Sequence, residues 1–151
     1  MEKIYRFFSS GFYSGFLPGV PGTWGSLSFI LIWWLLKSFT LVSDLSIIAV
    51  TIVLAIISTS KTLEALPKDS KSKDPGFIVI DEWVGMAVSL IGVSATSYVN
   101  IGVAFFLFRV LDVLKPGPIG SSEKLPGALG VIADDFFAGA VVAFLMGVFL
   151  L

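Results

Sequence analysis

The 151-residue chain contains no cysteine and no histidine. Without cysteine there is no disulfide, no thiolate metal site and no cysteine nucleophile. Without histidine the commonest general base and the commonest zinc ligand are both missing, and no reaction can pass through phosphohistidine. Charge is scarce as well. Only 14% of residues are charged, against about 25% in an ordinary soluble domain. A net charge of −1 offers nothing to a nucleic-acid backbone, so no nucleic-acid partner is expected. The N-terminal sequence MEKIYRFFSSGFYSG lacks the uninterrupted apolar run and small-residue cleavage site of a signal peptide, so no cleavable leader is expected.

What fills the chain instead is apolar surface. Hydrophobic residues make up 56% and the mean hydropathy is +0.94, above the roughly 45–50% apolar content of soluble chains. The length suits one domain, residues 1–151. Apolar stretches cover residues 26–39, 45–60, 83–93, 99–111 and 136–151. Each is apolar nearly all round rather than striped, which suits lipid or a fully buried helix. The expectation is an all-α protein, a compact membrane bundle of about five short spanning helices. The stretches fall short of the about 20 apolar residues that a span needs. Flanking residues must therefore join the helices, or the bilayer must thin. Shortness is also the feature that an unusually greasy soluble bundle would share.

The charges favour the membrane. With a cytoplasmic N-terminus and one crossing per stretch, the inside holds Lys3, Arg6, Lys61, Lys68, Lys71, Lys73, Arg109, Lys115 and Lys124, and the outside only Lys37. Such a bias is what the positive-inside rule expects of short loops. Among the acids, Asp44 alone falls outside. The same side holds the two irregular loops, residues 66–76 (LPKDSKSKDPG) and 115–130 (KPGPIGSSEKLPGALG), expected on the cytoplasmic face.

Four clusters meet at that face: GVPGTWGS from Gly19, DPGFIVIDEWVG from Asp74, FRVLDVLKPGPI from Phe108 and GALGVIADDFFAG from Gly127. Arg109, Asp112 and Lys115 recur every third residue and share one helical face. Asp81–Glu82 and Asp134–Asp135 each enter a helix, where negative charge meets the positive end of the dipole. Taken singly, an acidic pair of this kind reads as a helix cap, and the Arg–Asp–Lys run as a structural ion pair. GVPGTWGS by itself reads as a turn with Thr23 or Ser26 as N-cap. Together they exceed what capping requires. Charges beside apolar helices are costly in lipid and tend to face the bundle interior and serve function.

Carboxylates without His or Cys form a hard oxygen donor set that suits Mg²⁺ rather than zinc. Arg109 and Lys115 supply positive charge for a phosphate. That pairing at a membrane face suits a phosphorylated lipid headgroup. The base or nucleophile is left to Asp, Glu, Ser, Thr, Tyr, Lys or a metal-activated water. A histidine-dependent lipid phosphatase and a cysteine phosphatase are excluded.

The segments PGTWGS, DPGFIVIDEWVG, FRVLDVLKPGPI and GALGVIADDFFAG closely resemble, in order and spacing, those of bacterial phosphatidylglycerophosphatase A, over residues 15–139. The resemblance implies a Mg²⁺-dependent enzyme of the bacterial inner membrane, multi-pass, with its site facing the cytoplasm. Its phospholipid substrate would be phosphatidylglycerophosphate, hydrolysed to phosphatidylglycerol. It also implies functional positions at Thr23, Asp81, Glu82, Arg109, Asp112, Lys115, Asp134 and Asp135. On this reading Asp81, Glu82, Asp134 and Asp135 hold Mg²⁺, and Asp81, Asp112 and Asp135 carry catalysis. Thr23, Arg109 and Lys115 grip the phosphate, with the GVPGTWGS amides in support. The chain departs from the family where members often carry a histidine before the Asp–Glu pair; here Lys73-Asp74-Pro75-Gly76 stands in its place, so the histidine is read as dispensable, with Asp74 as the substitute should its role be needed. A small non-catalytic transporter or cation-binding membrane subunit is the competing class, and would need its charges near the bilayer midplane. A CDP-alcohol phosphotransferase is disfavoured because its signature is absent. Nothing in the sequence sets an oligomeric state.

Overall fold

A computed structural model describes residues 2–37, 40–66 and 75–149. Lys68, Lys71, Lys73 and Asp74, to which the sequence assigned topology or a substitute role, lie outside the described residues. Among those described the protein is all-helical, with no strand.

Helix α1 (Glu2–Ser9) packs on the far end of α3, where Ser9 Oγ and Thr62 Oγ1 share a hydrogen bond of 2.9 Å. A tight reversal follows, with Gly11, Phe12 and Tyr13 all at positive φ and a single 3-10 turn at Ser14–Phe16. Helix α2 (Pro21–Leu36) starts on proline, whose missing N–H and fixed φ fit the first helical position. Helix α3 (Leu41–Ala65) is capped by Thr40, whose hydroxyl accepts from the Ser43 N–H at 3.2 Å. Helix α4 (Ile80–Ser89) is followed by α5 (Tyr98–Leu114), the short α6 (Pro118–Ser122) and α7 (Ala128–Phe149).

The architecture turns on α4. All ten of its residues are buried, because α2, α3, α5 and α7 pack around it. Its ten residues rise only about 15 Å, roughly half a hydrocarbon core. The third apolar stretch is therefore an interior helix rather than a lipid-facing one. It still belongs to a pass between the two ends of the bundle. The chain runs inward through buried Ile78 and Val79, along α4, and out to a turn at Gly92. Outside α4 the core is filled by Phe29, Trp33, Phe108, Val142 and Met146.

Alpha-helices α3 and α7 are long and apolar enough to cross a membrane. Helices α2 and α5, of 16 and 17 residues, fall just short of that length. The outward faces are greasy: Leu31, Leu35, Val50, Val53, Phe106, Phe144 and Val148 are all exposed. Contiguous apolar surface of this kind signals a membrane or a partner rather than water.

At the end away from the α4 start, Lys37 is ion-paired with Asp44, and both are almost fully buried. The other Asp44 oxygen accepts the Gly92 N–H at 3.0 Å. The two charges that the sequence isolates from all the others thus neutralise one another and tie the α2–α3 turn to the α4–α5 turn.

Candidate active site

Asp81 and Glu82 occupy the first turn of α4, which begins inside the bundle. The lead-in is pinned there: the Val79 N–H donates to the Ser9 carbonyl at 2.9 Å, and Gly15 lies so close to the Phe77 carbonyl that a Cβ would meet it at 2.2 Å. Trp83 turns the other way, donating through Nε1 to Ser28 Oγ at 3.0 Å. Asp134 and Asp135 stand in the second turn of α7, roughly 10 Å along the helix from its start. Arg109 and Asp112 lie in the last turns of α5, and Lys115 follows the helix in the left-handed region, at φ 44°.

Glycines bring these acids together. Gly85 follows Asp81 by four residues, and Gly139 follows Asp135 by four, so each glycine lies on the face of its acid, one turn on. There α4 and α7 touch backbone to backbone. A Cβ on Gly139 would sit 2.4 Å from the Gly85 carbonyl oxygen, and one on Gly85 would meet the Phe108 ring at 2.2 Å and the Asp135 carbonyl at 2.9 Å. One turn away from this crossing the Asp81 and Asp135 carboxylates face each other. Gly22, at the start of α2, closes a third side: a Cβ there would lie 2.1 Å from Glu82 Oε1 and 2.9 Å from Arg109 Nη2.

Two triads of carboxylates result, Asp81–Glu82–Asp135 and Asp112–Asp134–Asp135, each with oxygens within 4.8 Å of one another. Among the described residues, Glu82 Oε2, Asp134 Oδ1 and Asp135 Oδ1 are buried without a hydrogen-bond partner. Unpartnered buried carboxylate oxygens are costly unless a cation compensates them. An all-oxygen donor set with such oxygens fits a hard divalent cation. Arg109 Nη1 pairs with Asp112 Oδ2 at 2.8 Å and stands 3.8 Å from Glu82 Oε1. Lys115 Nζ reaches Asp134 Oδ2 at 2.6 Å and pairs with Glu123. Partial burial pushes the Lys115 ammonium down, but the Asp134 and Glu123 hydrogen bonds and charges outweigh it, so its pKa is raised and it stays cationic.

Seven of the eight candidate positions therefore converge. Thr23 is half-buried one residue beyond Gly22, and its hydroxyl makes no hydrogen bond among the described residues. Gly22, Gly85, Gly139 and Glu123 have structural roles that the sequence reading missed. The D-x-x-x-G spacing at 81–85 and at 135–139 was a visible signal for two of them.

A sequence profile for phosphatidylglycerophosphatase A matches residues 7–150. The chain belongs to the phosphatidylglycerophosphatase A family. Phosphatidylglycerophosphatase A of Escherichia coli K12 is 31% identical over 144 residues, covering 95% of this chain and 81% of the relative. That of Haemophilus influenzae is 36% identical over 129 residues, covering 85% and 77%. A Bacteroides thetaiotaomicron protein, provisionally named a phosphatidylinositol-3-phosphatase, is 34% identical over 143 residues, covering 92% and 89%. No solved structure gives a significant match. As a member of the phosphatidylglycerophosphatase A family the chain is an enzyme, a phosphatase, which displaces the transporter reading.

Proposed function

We propose that this chain removes the terminal phosphate of phosphatidylglycerophosphate to give phosphatidylglycerol, with Mg²⁺ held by Asp81, Glu82, Asp134 and Asp135. The observation that carries the proposal is the convergence of five carboxylates and two cations one to two turns inside one end of an apolar bundle. The end holding the site faces the cytoplasm at the inner membrane, with the N-terminus inside and the five passes crossing the bilayer. The charge bias of the sequence supports this orientation.

Arg109 and Lys115 bind the phosphate oxygens, and the amides at the start of α2 beside Gly22 and Thr23 add donors at the positive end of that helix. Water attacks phosphorus in line as the ester P–O bond breaks, and the departing glycerol oxygen takes up a proton. Asp112 serves as base for the attacking water or as a further metal ligand. Its side chain is the least enclosed of the triad carboxylates for which Arg109 or Lys115 provides a partner. Asp81 and Asp135 hold the opposite wall. Bound Mg²⁺ would neutralise charge and polarise the phosphoryl group.

The test is phosphate release by purified protein in detergent micelles from phosphatidylglycerophosphate, phosphatidate and phosphatidylinositol 3-phosphate, with Mg²⁺ or with EDTA. Mg²⁺-dependent release, fastest from phosphatidylglycerophosphate, is expected. No release from that lipid under any metal condition refutes the activity. Faster release from the phosphoinositide transfers the assignment to the substrate in the Bacteroides name. Asp81→Asn and Asp135→Asn should each abolish turnover while helicity is kept.

A further inference from the structure

We propose that the site takes two divalent cations, with Asp135 as the ligand shared between them. The proposal rests on the Mg²⁺ reading above and goes beyond it in stoichiometry and in the role of one residue. The carboxylates do not form one cage. They form two triads, Asp81–Glu82–Asp135 and Asp112–Asp134–Asp135, whose only common member is Asp135.

The unpartnered oxygens are distributed over both. Glu82 Oε2 belongs to the first triad, Asp134 Oδ1 to the second and Asp135 Oδ1 to either, and all three are buried. Asp134 and Asp135 are only 4% and 2% exposed, so water does not compensate them. Asp134 divides its two oxygens: Oδ2 is taken by Lys115 and Oδ1 is left facing the cluster.

Charge leads to the same number. Asp81, Glu82, Asp112, Asp134 and Asp135, with the Glu123 that shares Lys115, set six negative charges against the two positive ones of Arg109 and Lys115. A single divalent ion leaves the group negative, which repels a phosphate monoester dianion. A second brings it to neutrality and removes that repulsion. Two cations sharing a carboxylate can neutralise both the attacking and the leaving oxygens of an in-line displacement, which one cannot.

The experiment is a Mn²⁺ titration of the full chain in detergent micelles, followed by electron paramagnetic resonance and by equilibrium binding. Two Mn²⁺ per chain with a spin-coupled spectrum are expected. Asp81→Asn and Asp112→Asn should each reduce binding to one uncoupled ion, whereas Asp135→Asn should weaken both ions at least tenfold. Circular dichroism confirms that each variant is folded. Saturation of the unmodified chain at one Mn²⁺ overturns the two-cation proposal and leaves the Mg²⁺ reading standing; no binding at all removes both. Two ions without spin coupling, of which Asp135→Asn loses only one, overturn the shared role of Asp135.

Discussion

Gly139→Ala adds one methyl group at the crossing that sets the carboxylates face to face. The new Cβ would lie 2.4 Å from the Gly85 carbonyl oxygen, where ordinary contact begins near 3.4 Å. Neither partner can yield by turning a side chain, because the contact is with backbone. Helices α4 and α7 must therefore part by about 1 Å, a displacement that in a positioned active site costs on the order of 10²-fold in rate. Overpacking of this kind also costs about 1–3 kcal/mol of stability. The two effects separate with the right control. A Cβ on Gly147, further along the same helix, meets nothing within 4 Å, so Gly147→Ala should leave turnover unchanged and gain up to about 1 kcal/mol from helix propensity. The assay is phosphate release from phosphatidylglycerophosphate in micelles, with thermal unfolding in the same detergent. Gly139→Ala should lose most of kcat at temperatures where it remains folded. Gly139→Ala with the kcat and melting temperature of the unmodified chain would refute the claim that this backbone contact sets the site.

Gly22→Ala drives a methyl group into Glu82 and Arg109 at the edge of the bundle. It should lower turnover roughly 10- to 100-fold with little change in melting temperature, and equal losses in both would contradict a positioning role. Lys115→Met removes the cation from buried Asp134 and should cut kcat/KM at least tenfold, whereas Glu123→Gln, at a half-exposed side chain, should cost less than threefold; the reverse ranking would show that Glu123 and not Asp134 governs Lys115. Lys37→Met leaves Asp44 buried and without its cation. It should destabilise the fold by about 3–5 kcal/mol while activity per folded molecule is kept, which unfolding and specific activity measured together will show.

Sequence reading located the site because the chemistry is written in residues that lipid penalises. Carboxylates and basic residues stand out in an apolar chain, and Asp81, Glu82, Arg109, Asp112, Lys115, Asp134 and Asp135 were all visible in that way. Glycine carries no such contrast. The importance of Gly85 and Gly139 comes from a contact between helices more than forty residues apart in sequence; the D-x-x-x-G spacing marks both glycines but does not say that they meet. The interior position of α4 was hidden for a related reason: a helix buried by protein and one buried by lipid have the same all-round apolar composition. The Lys37–Asp44 pair was read as two isolated outer charges because the six residues between them carry no pattern that announces the contact. Glu123 lay in a loop dense in Gly and Pro, where side-chain direction has no periodicity to report it.

The buried Lys37–Asp44 pair, with the Gly92 amide joined to it, fastens the bundle at the end opposite its chemistry. Four helices meet in those two tied turns, whereas at the charged end the ties between helices, Arg109 to Glu82 and Lys115 to Asp134, are made by the residues of the site itself. The fastening predicts a motion like that of tongs, in which the Lys37–Asp44 end is the pivot and the charged end opens once ligands compete for its ion pairs. A lipid held by its tails in the bilayer could then present its phosphate sideways between helices, with no need to leave the membrane. Amide hydrogen exchange would record the asymmetry as slow opening at residues 88–92 and faster opening at residues 118–130. Uniform exchange along the bundle axis would mean that the pair ties nothing.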